Sequence, residues 1–178
     1  MSILYETYFK LIIATGMRRG ECCALKWENI DFKRGEIIIA GNLCYTSSKG
    51  IYIDSPKNGH KRTVYAGEDT IALLRQLRAE QATKALSAFV FTKEGSSEPM
   101  HPQSPTRYLK KLSDRCGLVD LHPHKLRHTF ASVAITNGAD VASVSEALGH
   151  SDKAVTLRMY THANAKSVSR AAQIMREA

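Results

Sequence analysis

The chain has 178 residues, enough for one domain with a sizeable core. Its 43% hydrophobic content argues against disorder. Lys and Arg total 25 against 17 Asp and Glu, a net charge of +8, which favours a polyanionic partner such as nucleic acid. No stretch approaches the roughly 18 apolar residues of a spanning helix. Met1 to Glu6 lacks the basic region and cleavage signal of a secretory peptide. A cytoplasmic protein with no membrane partner is expected. Cys22, Cys23, Cys44 and Cys116 form no CxxC pair and read as reduced thiols.

Tyr5 to Ala14 predicts an apolar helix that Thr15-Gly16 ends or bends. Met17 to Glu21 then opens a short second helix running toward Leu25. An arginine just after a helix break can point at an anion. Glu21, one turn beyond Arg18, is placed to orient its guanidinium. The same two residues also fit an ordinary surface ion pair of little energetic weight. Trp27 to Asp31 reads as a turn-rich connection. Glu36 to Ala40 predicts a strand, Gly41 to Gly50 a loop, Ile51 to Ile53 a second strand and Thr63 to Tyr65 a third, together a small antiparallel sheet. Between the last two strands lies Ser55 to Arg62, a basic hairpin tip. Pro56 and Asn58-Gly59 supply the turn chemistry, and Lys57, Lys61 and Arg62 the charge. Such a tip can reach a phosphate, and it also fits a solvated turn.

Asp69 predicts the cap of a helix to about Lys84, with Ile71, Leu74 and Leu77 on one face. Gly95 to Pro105 is a loop, and Ser104 or Thr106 begins a basic helix that Gly117 ends. His122 to Phe130 opens the central helix, with Pro123 suited to the first helical position. His124 and Arg127 share a face, while Leu126, Phe130, Val133 and Ala134 mark the apolar face. Donors in a first turn, where backbone N–H groups and the positive dipole end also point, suit an anion such as phosphate. The bland alternative is a capped amphipathic helix with solvated basic residues. Gly138 and Asp140 separate this helix from the next, whose apolar stripe is Val141, Val144, Ala147 and Leu148. Gly149 stops that helix and His150 follows. A short helix capped by Asp152 and carrying Met159 and Tyr160, then a final helix from Ala165 to Arg176, complete the chain.

Thr15-Gly16-Met17-Arg18-Arg19-Gly20-Glu21, then His124-x-Leu126-Arg127-His128, then Leu148-Gly149-His150, then Tyr160-Thr161-His162 occur in this order. Taken singly, each also fits an ordinary role, such as a packing tyrosine or a C-capping histidine. As an ordered set spanning Arg18 to Tyr160 they resemble the tyrosine recombinases, or phage-integrase family. The resemblance implies an α+β fold, mainly α: a helical catalytic domain with a small three-stranded antiparallel sheet at one side. It implies that residues 1–178 are that catalytic domain, with the N-terminal core-binding and arm-binding domains absent.

It also implies an activity. The domain would cut and rejoin double-stranded DNA through a 3′-phosphotyrosine, for integration and excision of a mobile element. Arg18 and Arg127 look like the paired arginines that clamp the scissile phosphate, since a guanidinium fork matches phosphate oxygens. His150 looks like a further phosphate ligand and Tyr160 like the nucleophile. Lys57 resembles the lysine that protonates the leaving 5′-oxygen, and His124 the histidine that assists proton transfer. Arg18, Lys57, Lys61, Arg62, Lys125 and Arg127 form the expected DNA-facing set. No metal and no cofactor is implied, because guanidiniums and imidazoles can offset the developing charge. The family implies a tetramer of protomers on DNA and a monomer in its absence.

Three rivals have distinct signatures. His122, His124 and His128 have an HxHxxxH spacing reminiscent of zinc ligands, but Arg127 among them repels a cation. A non-catalytic DNA-binding module would keep the fold and lose the reaction. A type IB topoisomerase-like enzyme would relax supercoils without recombinant product. On the recombinase reading, Arg127→Ala should remove cleavage and spare the fold.

Overall fold

The computed structural model describes residues 2–55, 61–84, 86–119 and 121–149. The first helix, α1 (Ile3–Thr15), buries Tyr8, Phe9, Leu11 and Ile12. It stops because Gly16 adopts φ 66°, which lets its N–H return to the Ile12 carbonyl. After one turn of extended backbone at Arg18 comes α2 (Arg19–Cys23). Arginine is a poor N-cap, but Glu21 accepts from the Arg18 backbone N–H at 2.7 Å and secures the helix start.

A 3-10 turn at Trp27–Asn29 leads into a three-stranded antiparallel sheet. Its order is β1 (Ile30–Asp31), β2 (Glu36–Ile39), then, later in the chain, β5 (Arg62–Tyr65). The Ile37↔Val64 register points Ile37, Ile39 and Val64 to the core and leaves Ile38 and Tyr65 outward. Between β2 and β5 lies a separate two-stranded sheet, β3 (Asn42–Thr46) paired with β4 (Gly50–Asp54).

This corrects the sequence reading in two ways. Part of Gly41 to Gly50 is a strand, which Gly41 and Asn42 disguised as turn chemistry. And β4 and β5, which flank Ser55 to Arg62, lie in different sheets and do not pair with each other. A three-stranded sheet is present, but Ile30–Asp31 takes the place expected for Ile51 to Ile53.

Next comes α3 (Glu68–Ala82), capped by Gly67 rather than Asp69, which falls in the first turn with Glu68. The remaining helices are α4 (Ser104–Arg115), α5 (Pro123–Thr136) and α6 (Val141–Leu148). Pro123 occupies the first turn of α5, with His122 as N-cap. The Asp140 carboxylate caps α6 by accepting from Ala142 and Ser143 N–H at 2.9 Å. Gly149 closes α6 in the left-handed conformation.

Two cores result. The larger gathers α1, α2, the three-stranded sheet and α3, with Tyr8 edge-on to Phe91 and Tyr5 stacked on Tyr108. The smaller joins α5 to α6 through Ala131, Ile135, Val144 and Leu148. On α5 the inward stripe includes Arg127, Ala131 and Ile135, four residues apart, and Val133 is 52% exposed. Of the face expected from Leu126, Phe130, Val133 and Ala134, Leu126 is buried and Phe130 and Ala134 pack against the smaller core, while Val133 points outward and Arg127 takes an inward position beside them. Among the described residues no helix is long and apolar enough to cross a membrane.

Gly16 is the tightest joint between the cores. A Cβ there would lie 2.5 Å from the Phe130 ring and 2.7 Å from Leu148. Left-handed backbone and overpacking each cost on the order of 1–3 kcal/mol. Gly16→Ala is expected to destabilise the chain by about 2–4 kcal/mol in urea unfolding, whereas the same change at exposed-side Gly95 should cost no more than the backbone part, about 1–2 kcal/mol.

Candidate phosphate-binding site

The C-terminus of α6 offers three consecutive carbonyls, and each accepts from a different arginine. Arg62 Nε donates to Ala147 O at 2.9 Å. Arg127 Nη2 donates to Leu148 O at 2.7 Å. Arg18 Nη2 donates to Gly149 O at 2.8 Å. The last carbonyls of a helix lack intrahelical partners and carry the negative end of its dipole, so cations gather there. The three arginines come from β5, α5 and the start of α2. Arg127 also donates from Nη1 to Gly16 O at 2.5 Å, which ties α5 to the end of α1.

Glu21 stands behind this cluster and is 2% exposed. One oxygen accepts from Arg18 Nη1 at 2.9 Å and from Arg62 Nη1 at 2.8 Å. The other accepts from Arg62 Nη2 at 2.7 Å and the Arg18 N–H at 2.7 Å. Burial pushes the Glu21 carboxyl up, but hydrogen bonds and charge from Arg62, then Arg18, more than offset this and hold it below the usual carboxylate range. The Arg18–Glu21 pair is thus not the surface ion pair that its spacing also allows.

Arg127 is 4% exposed, and burial followed by the neighbouring Arg18 charge lowers its pKa to about 9, so it remains a cation at neutral pH. Two guanidiniums that share a desolvated neighbourhood repel each other. An anion placed between them relieves that repulsion, and each still has N–H groups beyond those used on the carbonyls.

His124 and His128 meet edge-on with ring centroids 4.4 Å apart on the first turns of α5. Partial desolvation, then His128 and Arg127, hold His124 below the ordinary imidazole value, and His128 is lowered by desolvation and Arg127. His122 and His124 lie nearly parallel at 6.3 Å. Among the described residues no group of three or more His, Cys, Asp or Glu is arranged to hold a metal ion.

The structure therefore brings together Arg18 and Arg127, with His124 on the first turn of the same helix as Arg127. Lys61 and Lys125 are exposed. Arg62, expected at a DNA-facing tip with Lys61, turns inward instead: its side chain is 13% exposed and its guanidinium is held by Glu21 and Ala147. Lys57, His150 and Tyr160 lie outside the described residues, as do the helices expected around Tyr160 and from Ala165 to Arg176. The inward role of Arg62 was not legible from its basic surroundings, because its partner Glu21 lies 41 residues away and already has Arg18 as a local cation. The burial of Arg127 also revises the expected effect of Arg127→Ala, since that change would strip donors from Gly16 O and Leu148 O and cost stability as well as charge.

Comparison with known proteins gives the family and the fold. The phage integrase family model matches residues 1–167. A tyrosine recombinase XerC of Xanthomonas axonopodis pv. citri (strain 306) is 32% identical over 154 residues, covering 86% of this chain and 45% of that protein. The XerC of Bacillus pumilus (strain SAFR-032) is 31% identical over 164 residues, covering 92% of this chain and 50% of that protein. The chain thus spans about half the length of the curated relatives it matches. Among solved structures, the Tn1549 transposon integrase in complex with transposon right-end DNA superposes with a TM-score of 0.84 at 23% identity, over 98% of this chain and 59% of that one. That likeness establishes the shared fold. With a family match over nearly its whole length, the chain belongs to the phage integrase family of tyrosine recombinases.

Proposed function

We propose that this chain is the catalytic part of a site-specific DNA recombinase that breaks and rejoins strands during integration and excision of a mobile element. The observation that carries the reading is the convergence of Arg18 and Arg127 on the adjacent carbonyls Gly149 and Leu148. These arginines are 109 positions apart in the sequence, as Arg18 and Arg127, and they meet immediately before His150. Family membership adds the expectation of double-stranded DNA as substrate. The DNA complex of the Tn1549 integrase is consistent with it.

In this reading the two guanidiniums bind the non-bridging oxygens of one phosphodiester, and His150 adds a further contact. The phenolic oxygen of Tyr160 attacks phosphorus in line. The P–O bond to the 5′-oxygen breaks, leaving a 3′-phosphotyrosine and a 5′-hydroxyl. Lys57 supplies the proton to the leaving oxygen, and neutral His124 assists removal of the tyrosine proton. A tyrosine with its usual pKa near 10 is a weak nucleophile and needs this positive field. The phosphotyrosine keeps the energy of the broken bond, so a second 5′-hydroxyl can attack it and reseal without ATP. No step needs a metal or cofactor. Protomers are proposed to assemble as a tetramer on paired sites and to separate without DNA. Lys61 and Lys125 are proposed to contact the DNA backbone.

Incubation with a nicked duplex that traps the cleaved product is expected to give a covalent protein–DNA adduct. Tyr160→Phe should abolish it; an adduct that survives would identify another nucleophile. His124 provides a second check. Its folded pKa lies below the unfolded value of 6.5, so the unfolded chain binds more protons between those two values. Stability should therefore fall as pH drops through 6.5, and the slope should flatten in His124→Asn. If His124 acts as the neutral partner, cleavage should persist below pH 6.5, and His128→Asn should move the acid limb upward by removing a positive neighbour. An acid limb that stays fixed in His128→Asn would speak against that role.

A further inference from the structure

Arg62 is the one arginine of the cluster with both Glu21 oxygens in its fork. Its third contact goes to Ala147 O at 2.9 Å. A Cβ at Gly149 would lie 3.0 Å from its guanidinium, so the turn before His150 rests directly on it. Arg18, by contrast, reaches Glu21 with a single guanidinium nitrogen, at 2.9 Å. The carboxylate has about four lone-pair sites, and all are filled: two by Arg62, one by Arg18 Nη1 and one by the Arg18 backbone.

This arrangement decides which cation is spent on Glu21. A desolvated carboxylate needs a cation. Were Arg18 its sole partner, the two groups would close into a fork-to-fork pair, the strong bidentate geometry. The charge of Arg18 would then be cancelled and its donors turned away from solvent. Arg62 prevents this by taking both oxygens first. Three guanidiniums against one carboxylate leave the cluster with a positive excess: Arg127 makes no hydrogen bond to Glu21, and Arg18 gives it one guanidinium nitrogen where Arg62 gives two.

We propose that Arg62 is a positioning residue that balances most of the charge of Glu21, so that Arg18, held to Glu21 by a single guanidinium nitrogen, keeps positive charge for the scissile phosphate. The proposal rests on the reading of Arg18 as a phosphate ligand. It also gives Arg62 a role opposite to that of a DNA contact: it acts from behind the site and touches no substrate.

The test uses the 178-residue chain and inorganic phosphate, with binding followed on the arginine Nε–Hε signals by NMR. Arg62→Met is expected to weaken phosphate binding at Arg18 about tenfold, as loss of one nearby charge in a partly desolvated site implies. Adding Glu21→Gln to Arg62→Met removes the charge that needed balancing and should restore affinity to within about threefold of the parent. A merely structural clamp would not be rescued by a second change in the same cluster. Unchanged affinity in Arg62→Met, or a double variant no tighter than the single one, overturns the proposal. Arg62→Lys keeps the charge without the fork and covers the case in which Arg62→Met does not fold. Because lysine is not conservative at a bidentate site, the affinity of this variant should fall between those of the parent and the methionine variant, and a loss as large as the roughly tenfold one expected for the methionine variant overturns charge balancing. Absence of saturable phosphate binding at Arg18 in the parent chain overturns it as well. Adduct formation on the nicked duplex reports separately on the recombinase reading: an adduct with Arg62-independent phosphate binding sinks this inference alone, and phosphate behaviour as expected without an adduct sinks that reading alone.

Discussion

The end of α6 is the feature on which the rest of the site depends. Helices leave their last carbonyls without internal partners. Here those carbonyls are met by three separate side chains. Ala147, Leu148 and Gly149 each receive a guanidinium, and the three donors come from three different parts of the fold. The carbonyls aim the arginines, and the arginines hold the helix end. A surface that would otherwise repel an anion becomes the scaffold for a cationic one.

Such a cluster is expensive in stability terms. Glu21 and Arg127 are almost wholly buried, and desolvated charges recover their hydration loss only when nearly every lone pair and proton is used. That condition is met at Glu21 by four short contacts. A well-packed apolar group of similar volume would serve stability about as well. What an apolar core could not supply is positive charge held in a fixed place, which on the proposed function is the form of electrostatic assistance that costs no reorganisation during a reaction.

Much of this was legible in the sequence, for identifiable reasons. Gly16, Gly138, Asp140 and Gly149 mark helix boundaries because their backbone or capping chemistry is local. Arg18 and Arg127 stood out through the order of motifs, and Glu21 through its spacing from Arg18. What was not legible is what depends on tertiary direction. Arg62 reads as one more basic residue beside Lys61, yet β5 pairs with β2 and turns it toward Glu21. Val133 fits the apolar period of α5, yet it points outward, while Arg127 is buried beside Leu126. The β3 strand hid behind Gly41 and Asn42. In each case a local pattern admitted two orientations, and only distant partners chose between them.

The arginine contacts also bear on how the molecule reaches its working form. The partners of Arg18, Arg127 and Arg62 lie 131, 111 and 85 residues away in sequence. Contacts of such long range form only after the loop-closure entropy between them has been met, which places them late in folding. A chain still emerging from the ribosome, with α6 unmade, carries both candidate phosphate ligands but not the Leu148 and Gly149 carbonyls on which they converge. The fixed arrangement of these guanidiniums is thereby tied to completion of the fold, and a half-made chain holds the same arginines without a common aim.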